Sequence, residues 1–182
     1  MGMGVGVAGH RQRKVVPVQR SGVGEQDLHR EVLERLAAWM PGPQKLLDVG
    51  CKRGDLLRAA ASHFPSATMI GIDPEYAPLV DAWRTVGHAH FIRAVPRRLP
   101  LPDASFDMIT MVVRSRLGGE LEFRPAHVAR LLADGGLLGI VAHGPAEIDE
   151  EHLATLRLEV RETHQTAGPS PVSVVVAQRL GA

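Results

Sequence analysis

A chain of 182 residues, 45% apolar and 23% charged, can close one sizeable core and has the balance of an ordinary globular protein. Its 21 basic and 20 acidic residues leave a formal charge of +1, so nothing points to nucleic acid or an anionic membrane as a partner. Cys51 is the only cysteine, which excludes an intrachain disulfide and a cysteine-rich metal site; no metal is expected.

Residues 1–24 are rich in glycine, valine and basic side chains (Arg11, Arg13, Lys14, Arg20) and include Pro17. They read as a flexible tail or cap ahead of a single domain over 25–182. The small apolar stretch 1–9 has no basic region before it, unlike a secretion signal. No apolar run approaches the roughly 20 residues of a membrane span, so a reduced, cytoplasmic setting is expected.

From Glu25 onward, Leu28, Val32, Leu33, Leu36 and Trp39 recur at helical spacing, and Pro41-Gly42-Pro43 ends that helix. Lys45-Leu46-Leu47-Asp48-Val49-Gly50 is a short apolar run closing on glycine, the pattern of a buried parallel strand. Residues 55–63 predict a helix through Leu56, Leu57, Ala60 and Ala61, and 68–73 a second strand ending on the carboxylate of Asp73. A helix over about 77–86, a strand over 90–93 and a fourth strand over 106–113 follow, the last behind the turn Pro102-Asp103-Ala104-Ser105. A helix over about 125–132 is expected to stop at Asp134-Gly135-Gly136, before a fifth strand over 137–142. Finally Leu156-Arg157-Leu158-Glu159-Val160 alternates and 172–177 is β-branched. So short a link as 167–171 implies that these two strands pair antiparallel. The fold class is α/β: a mostly parallel sheet with a C-terminal antiparallel hairpin and helices on both faces.

Sheets of this kind bind ligands beyond the carboxyl ends of their strands, where strand order reverses. Asp48-Val49-Gly50-Cys51-Lys52-Arg53-Gly54 falls there. Its glycines allow close backbone approach and positive φ, and the helix amides that follow can face a ligand's polar groups. Asp73, about twenty residues beyond Gly54, can accept both ribose hydroxyl protons of a nucleoside.

These residues resemble a family. Leu46-Leu47-Asp48-Val49-Gly50-Cys51-x-x-Gly54-x-Leu56 is similar to the first motif of class I S-adenosylmethionine-dependent methyltransferases, and within them to the small-molecule type 11 group. Gly71-Ile72-Asp73 resembles the ribose-binding motif. Leu99-Pro100-Leu101-Pro102-Asp103-Ala104-Ser105-Phe106-Asp107-Met108-Ile109 resembles the Leu-Pro-Phe-x-Asp-x-Ser-Phe-Asp segment entering the fourth strand. Ala129-Arg130-Leu131-Leu132-Ala133-Asp134-Gly135-Gly136 resembles the Arg-Val-Leu-x-Pro-Gly-Gly turn, with Asp134 in place of proline. The likeness keeps order from about Leu28 to the C-terminus.

The resemblance implies a Rossmann-like class I methyltransferase sheet that holds S-adenosylmethionine, with S-adenosylhomocysteine as product. The cofactor residues it implies are Asp48, Gly50, Cys51, Gly54, Asp73, Pro74, Val95 and Pro96. Gly50 and Gly54 would shape the turn, Asp48 orient the amino-acid moiety and Asp73 hold the ribose. Two positions depart from the family. Lys52 stands where glycine is usual; its ammonium can pair with the cofactor carboxylate, swing outward or fill the pocket. Val95 stands where an acid for the adenine amine is usual and cannot accept its hydrogen bond.

Methyl transfer is an in-line displacement in which positioning supplies much of the acceleration, and a general base helps when the acceptor is a hydroxyl or a protonated amine. His143, after the fifth strand, is the candidate base, with His88 and His90 more remote. Each of the three also reads as a surface or loop histidine. Arg114 and Arg116 follow the fourth strand and are candidates for binding an acidic substrate, or belong to a solvated loop. Asp103 and Asp107 look like an acid pair, but Asp107 is expected to fix local backbone; Trp39 and Trp83 read as packing residues. The segment between Val113 and Pro125 is short, and little chain precedes the first helix. The acceptor face is therefore expected to be open unless a second copy, a partner protein or the basic arm covers it.

Two functions are consistent with these residues. One is methyl transfer to a small-molecule acceptor; the other is a noncatalytic methyltransferase-like binding or scaffold protein with weakened or lost cofactor binding, motivated by Lys52 and Val95. A nicotinamide-dependent dehydrogenase is disfavoured by the acid before the glycine turn and by the lack of a G-x-G-x-x-G order.

Overall fold

The computed structural model describes residues 17–18, 25–95, 98–114, 124–143, 150–166 and 172–181. Helix α1 (Glu25–Trp39) buries its Leu28, Val32, Leu33 and Leu36 stripe and ends where Pro41 can no longer continue the ladder. Strand β2 (Lys45–Val49) follows, buried from its second residue on, then helix α2 (Asp55–His63), whose Leu56, Leu57 and Ala60 face the sheet. Strand β3 (Thr68–Asp73), helix α3 (Tyr76–Thr85) and strand β4 (Ala89–Arg93) complete the first half.

The second half holds strand β5 (Phe106–Arg114), the short helix α4 (Pro125–Val128) with a 3₁₀ turn over Ala129–Leu131, and strand β6 (Leu132–His143). Helix α5 (Glu150–Thr155) then leads into strands β7 (Leu158–Thr166) and β8 (Val172–Arg179). A two-residue strand β1 (Pro17–Val18) lies parallel to β7 beside Gln165 and Thr166. The sheet order is β1-β7-β8-β6-β5-β2-β3-β4. Among the described strands, only β8 runs against its neighbours β6 and β7. The chain winds outward from β2 to β4, then crosses back to β5 on the other side of β2. The carboxyl ends of β2 and β5 therefore form the reversal point.

Both faces of the sheet are covered, as the strand pattern predicts. Leu33, Leu36, Leu57 and Val86 join Met69 and Met108 on one face; Val128, Leu131 and Leu153 join Ile72 and Ile109 on the other. Asp107 does fix backbone: its Oδ2 accepts from the amides of Gln44 (2.8 Å) and Lys45 (2.9 Å), setting the entry to β2. Arg130 ties the neighbouring loop by donating to the carbonyls of Leu99 and Leu101 and to Asp103.

Three sequence expectations change. The helix over 125–132 shrinks to a single turn plus a 3₁₀ turn, because from Leu132 the backbone pairs with β5 instead. Gly135 (φ +78°) therefore serves a strand irregularity between the Phe106 and Met108 pairings, not a helix end. Helix α5 was not expected; with Leu153 as its one buried side chain it is too short to show a period. Trp83 is not a packing residue: α3 buries Leu79 and Ala82, leaving Trp83 72% exposed on the outer face. Trp39 is also exposed at 46%, its indole N–H donating to Glu162 at 3.2 Å.

Candidate functional site at the carboxyl edge of the sheet

The loop from β2 to α2 contains three left-handed residues, Gly50 (φ +78°), Lys52 (φ +47°) and Gly54 (φ +73°). This coil folds it over the end of β3. The amides of Gly50 and Cys51 both donate to the Ile72 carbonyl (2.8 and 3.0 Å), and the Gly54 amide donates to the Cys51 carbonyl at 2.7 Å. Gly71 makes the contact possible. A Cβ there would stand 2.8 Å from Cys51 Sγ and from two ring carbons of Phe91.

Asp73 ends β3 almost wholly buried, at 5% exposure. Its Oδ2 accepts from the Lys52 amide at 3.0 Å and its Oδ1 from the Glu75 amide at 2.8 Å. Each carboxylate oxygen offers two lone pairs, so one on each remains for a further donor. Two backbone amides thus fix the orientation of the group that the sequence assigned to a ribose.

Asp48 lies one strand away with 4% exposure, and Thr110, its register partner on β5, donates to its Oδ1 at 2.9 Å. Burial pushes its carboxyl up to about 7. The Thr110 hydrogen bond opposes that rise, and the charges of Asp73 and Asp55 add to it. Burial, with the same pair Asp48 and Asp73, also pushes the Cys51 thiol well up. A thiol held neutral in this way packs against Gly71 and is no nucleophile.

Of the residues named from the sequence, Asp48, Gly50, Cys51, Gly54, Asp73, Pro74 and Val95 gather on the adjoining ends of β2, β3 and β4. Pro74 offers its carbonyl to Arg93 Nε at 3.0 Å. Val95 is 45% exposed just past Ala94, whose amide donates to the Asp73 carbonyl at 3.2 Å. Arg114 and His143 end β5 and β6 as register partners. Pro96 and Arg116 lie outside the described residues, as does most of the segment between Val113 and Pro125. His88 and His90 are misplaced for chemistry at this edge. His88 precedes β4, its ring nitrogen 3.4 Å from the Leu57 carbonyl, and His90 pairs in register with Ile70, short of the strand end. Sequence reasoning missed Thr110; its signal was a single hydroxyl in the middle of the apolar run Met108-Ile109-Thr110-Met111.

Among the described residues no helix is long and apolar enough to cross a membrane, and no three His, Cys, Asp or Glu side chains are placed to hold a metal.

Residues 46–136 match the family model described as a methyltransferase domain. The chain is 34% identical over 121 residues to nocamycin O-methyltransferase of Saccharothrix syringae, covering 62% of this chain and 43% of that one. It is 29% identical over 107 residues to demethylmenaquinone methyltransferase of Thermus thermophilus, covering 57% of this chain and 49% of that one. The chain thus spans about half the length of these curated relatives. Its fold is similar to that of a SAM dependent methyltransferase from Aquifex aeolicus, with a TM-score of 0.67 at 19% identity over 87% of this chain and 95% of that one. From the glycine turn through the end of β3 to the start of β6, the matched segment spans the strands and loops described above, and the chain belongs to the class I S-adenosylmethionine-dependent methyltransferase family, in its type 11-like branch.

Proposed function

We propose that this protein transfers a methyl group from S-adenosylmethionine to a small-molecule acceptor. The observation that carries the reading is the Asp73 carboxylate, buried at the strand end and oriented by two amides, beside a second buried acid across a left-handed turn. The donor set fits the cofactor. Asp73 keeps lone pairs for a pair of ribose hydroxyls, and Asp48, desolvated without a cationic partner among the described residues, gains one from the cofactor's positively charged end. Gly50 presents bare backbone, and Pro74 and Val95 offer apolar surface for the base.

When bound, the cofactor supplies an electrophilic methyl on a sulfonium. The chain's own part is to hold it: Asp73 fixes the sugar, Asp48 supplies negative charge near the amino-acid end, and the sheet edge keeps both at a set spacing. Arg114 and His143 stand at the ends of the next two strands, where an acidic acceptor and a base to receive its proton would be met. A second copy or a partner protein would close the acceptor face. Calorimetric titration with S-adenosylhomocysteine tests the reading; no heat at millimolar ligand removes it.

One observation favours a second reading, a binding or scaffold role without turnover: Val95 is exposed just past β4 and offers no side-chain acceptor to a base amine. Mass spectrometry of the natively purified protein separates the two. S-adenosylmethionine retained and converted to S-adenosylhomocysteine on adding a cell-extract acceptor pool supports transfer; ligand retained unchanged supports scaffolding.

A further inference from the structure

Lys52 is the residue at this site that the fold itself does least to explain. It carries a side chain at φ +47° between two left-handed glycines, a conformation that favours glycine. Non-glycine residues kept in this region cluster where ligands are clamped. Its amide does structural work by donating to Asp73 at 3.0 Å, but any residue other than proline supplies that amide. The side chain is exposed.

The cations around it are otherwise engaged. Arg53, its neighbour on the loop, pairs with Asp81 at 3.6 Å, and Arg58 on α2 pairs with Asp55 at 3.0 Å. Among the described residues, Lys52 is the one cation of this loop without an acid partner. The buried charged groups at these strand ends, Asp48 and Asp73, are both acids. They suit the hydroxyls and the positive centres of the cofactor, but they repel its carboxylate.

We propose that Lys52 recognises the carboxylate at the amino-acid end of the cofactor, its ammonium supplying the positive charge that these acid-bearing strand ends lack. The proposal rests on the cofactor reading above. It makes the departure from glycine a gain in binding: a compact charge, mobile on its own stem, exchanges water for a carboxylate only when the ligand arrives.

The test compares two ligands by calorimetry on the full chain. S-adenosylhomocysteine carries the amino-acid end; 5′-methylthioadenosine keeps the nucleoside and the sulfur without it. Lys52→Met, which keeps an unbranched stem and loses the charge, is expected to weaken S-adenosylhomocysteine about tenfold while leaving 5′-methylthioadenosine within about twofold. Lys52→Arg is expected to retain most of the affinity, and the salt dependence of the wild type is expected to fade in the Met variant. Unchanged S-adenosylhomocysteine affinity in Lys52→Met overturns the proposal. Equal weakening of both ligands overturns it as well, since that marks a loop defect, and so does tighter binding by Lys52→Gly, which marks an obstructing side chain. A wild type that binds neither ligand overturns the cofactor reading itself; one that binds both, with variants unchanged, overturns the role of Lys52 alone.

Discussion

Replacing Asp48 by asparagine keeps the side chain's volume and the acceptor that Thr110 Oγ1 meets at 2.9 Å, and removes the charge. The folded protein holds this carboxyl at about 7 against an ordinary 3.8, mainly because burial penalises the anion. Ionising it inside the fold therefore costs up to about 4 kcal/mol once the pH exceeds about 7. Because the folded protein binds this proton more tightly than the unfolded chain, the stabilisation is complete below about pH 4. It drains away as the pH rises to about 7 and is constant above that.

Asp48→Asn lacks this loss. It is expected to match the wild type near pH 4 and to exceed it at pH 8, with an unfolding temperature higher by on the order of 10 °C. The same change is expected to weaken S-adenosylhomocysteine at least about tenfold at pH 8, since the ligand's ammonium loses its counter-charge. Wild-type affinity is expected to climb with pH until about 7 and then level off, because binding favours the ionised acid. Circular dichroism melts between pH 4 and 8 and calorimetry on both proteins measure these two effects of opposite sign. A variant less stable than wild type at pH 8, or a stability difference that does not change with pH, refutes the reasoning.

Three further outcomes are expected. Asp73→Ala removes the acceptor of the Lys52 and Glu75 amides and is expected to cost about 1–3 kcal/mol in urea unfolding and to abolish ligand heat; retained binding would contradict a sugar-holding role. Gly71→Ala puts a methyl 2.8 Å from Cys51 Sγ and the Phe91 ring, and is expected to destabilise by about 1–3 kcal/mol and to loosen the glycine turn; an unaltered urea midpoint would show that the contact yields freely. Asp107→Ala leaves the Gln44 and Lys45 amides to water and is expected to cost about 1 kcal/mol with S-adenosylhomocysteine affinity unchanged; a loss of affinity would move Asp107 into the site.

The part of the site legible in the sequence is the part made by local chain: the turn Gly50–Gly54 and the acids at the ends of two apolar strands. Glycine spacing and strand-end acids are short-range signals, and parallel strands buried on both faces show as continuous apolar runs. What surrounds those residues comes from sequence-distant strands. Thr110 meets Asp48 because β5 lies against β2, and Phe91 meets Gly71 because β4 lies against β3. No periodicity within either strand records that neighbour.

The same division runs through the fold. Helices α1 and α2 and strands β2, β3 and β5 follow from apolar spacing and proline stops, since those features act within a few residues. The polar face of α1 shows no partner in its own spacing. In the structure His164 Nε2 lies 2.7 Å from Glu31, and Glu162, also on β7, accepts from Arg35 and Trp39. The length of β6 was likewise decided by its partner: Leu132 to Gly136 has the composition of a helix end, yet Leu132 pairs with Phe106 of β5 and pairing resumes at Leu137 with Met108, the intervening residues forming the irregularity. Local chain thus sets the strand–turn–helix order and the two acids. Which amide of the glycine turn orients Asp73, and what burial does to Asp48, come from the folded sheet, because both depend on groups brought together by strand pairing rather than by neighbouring positions in the chain.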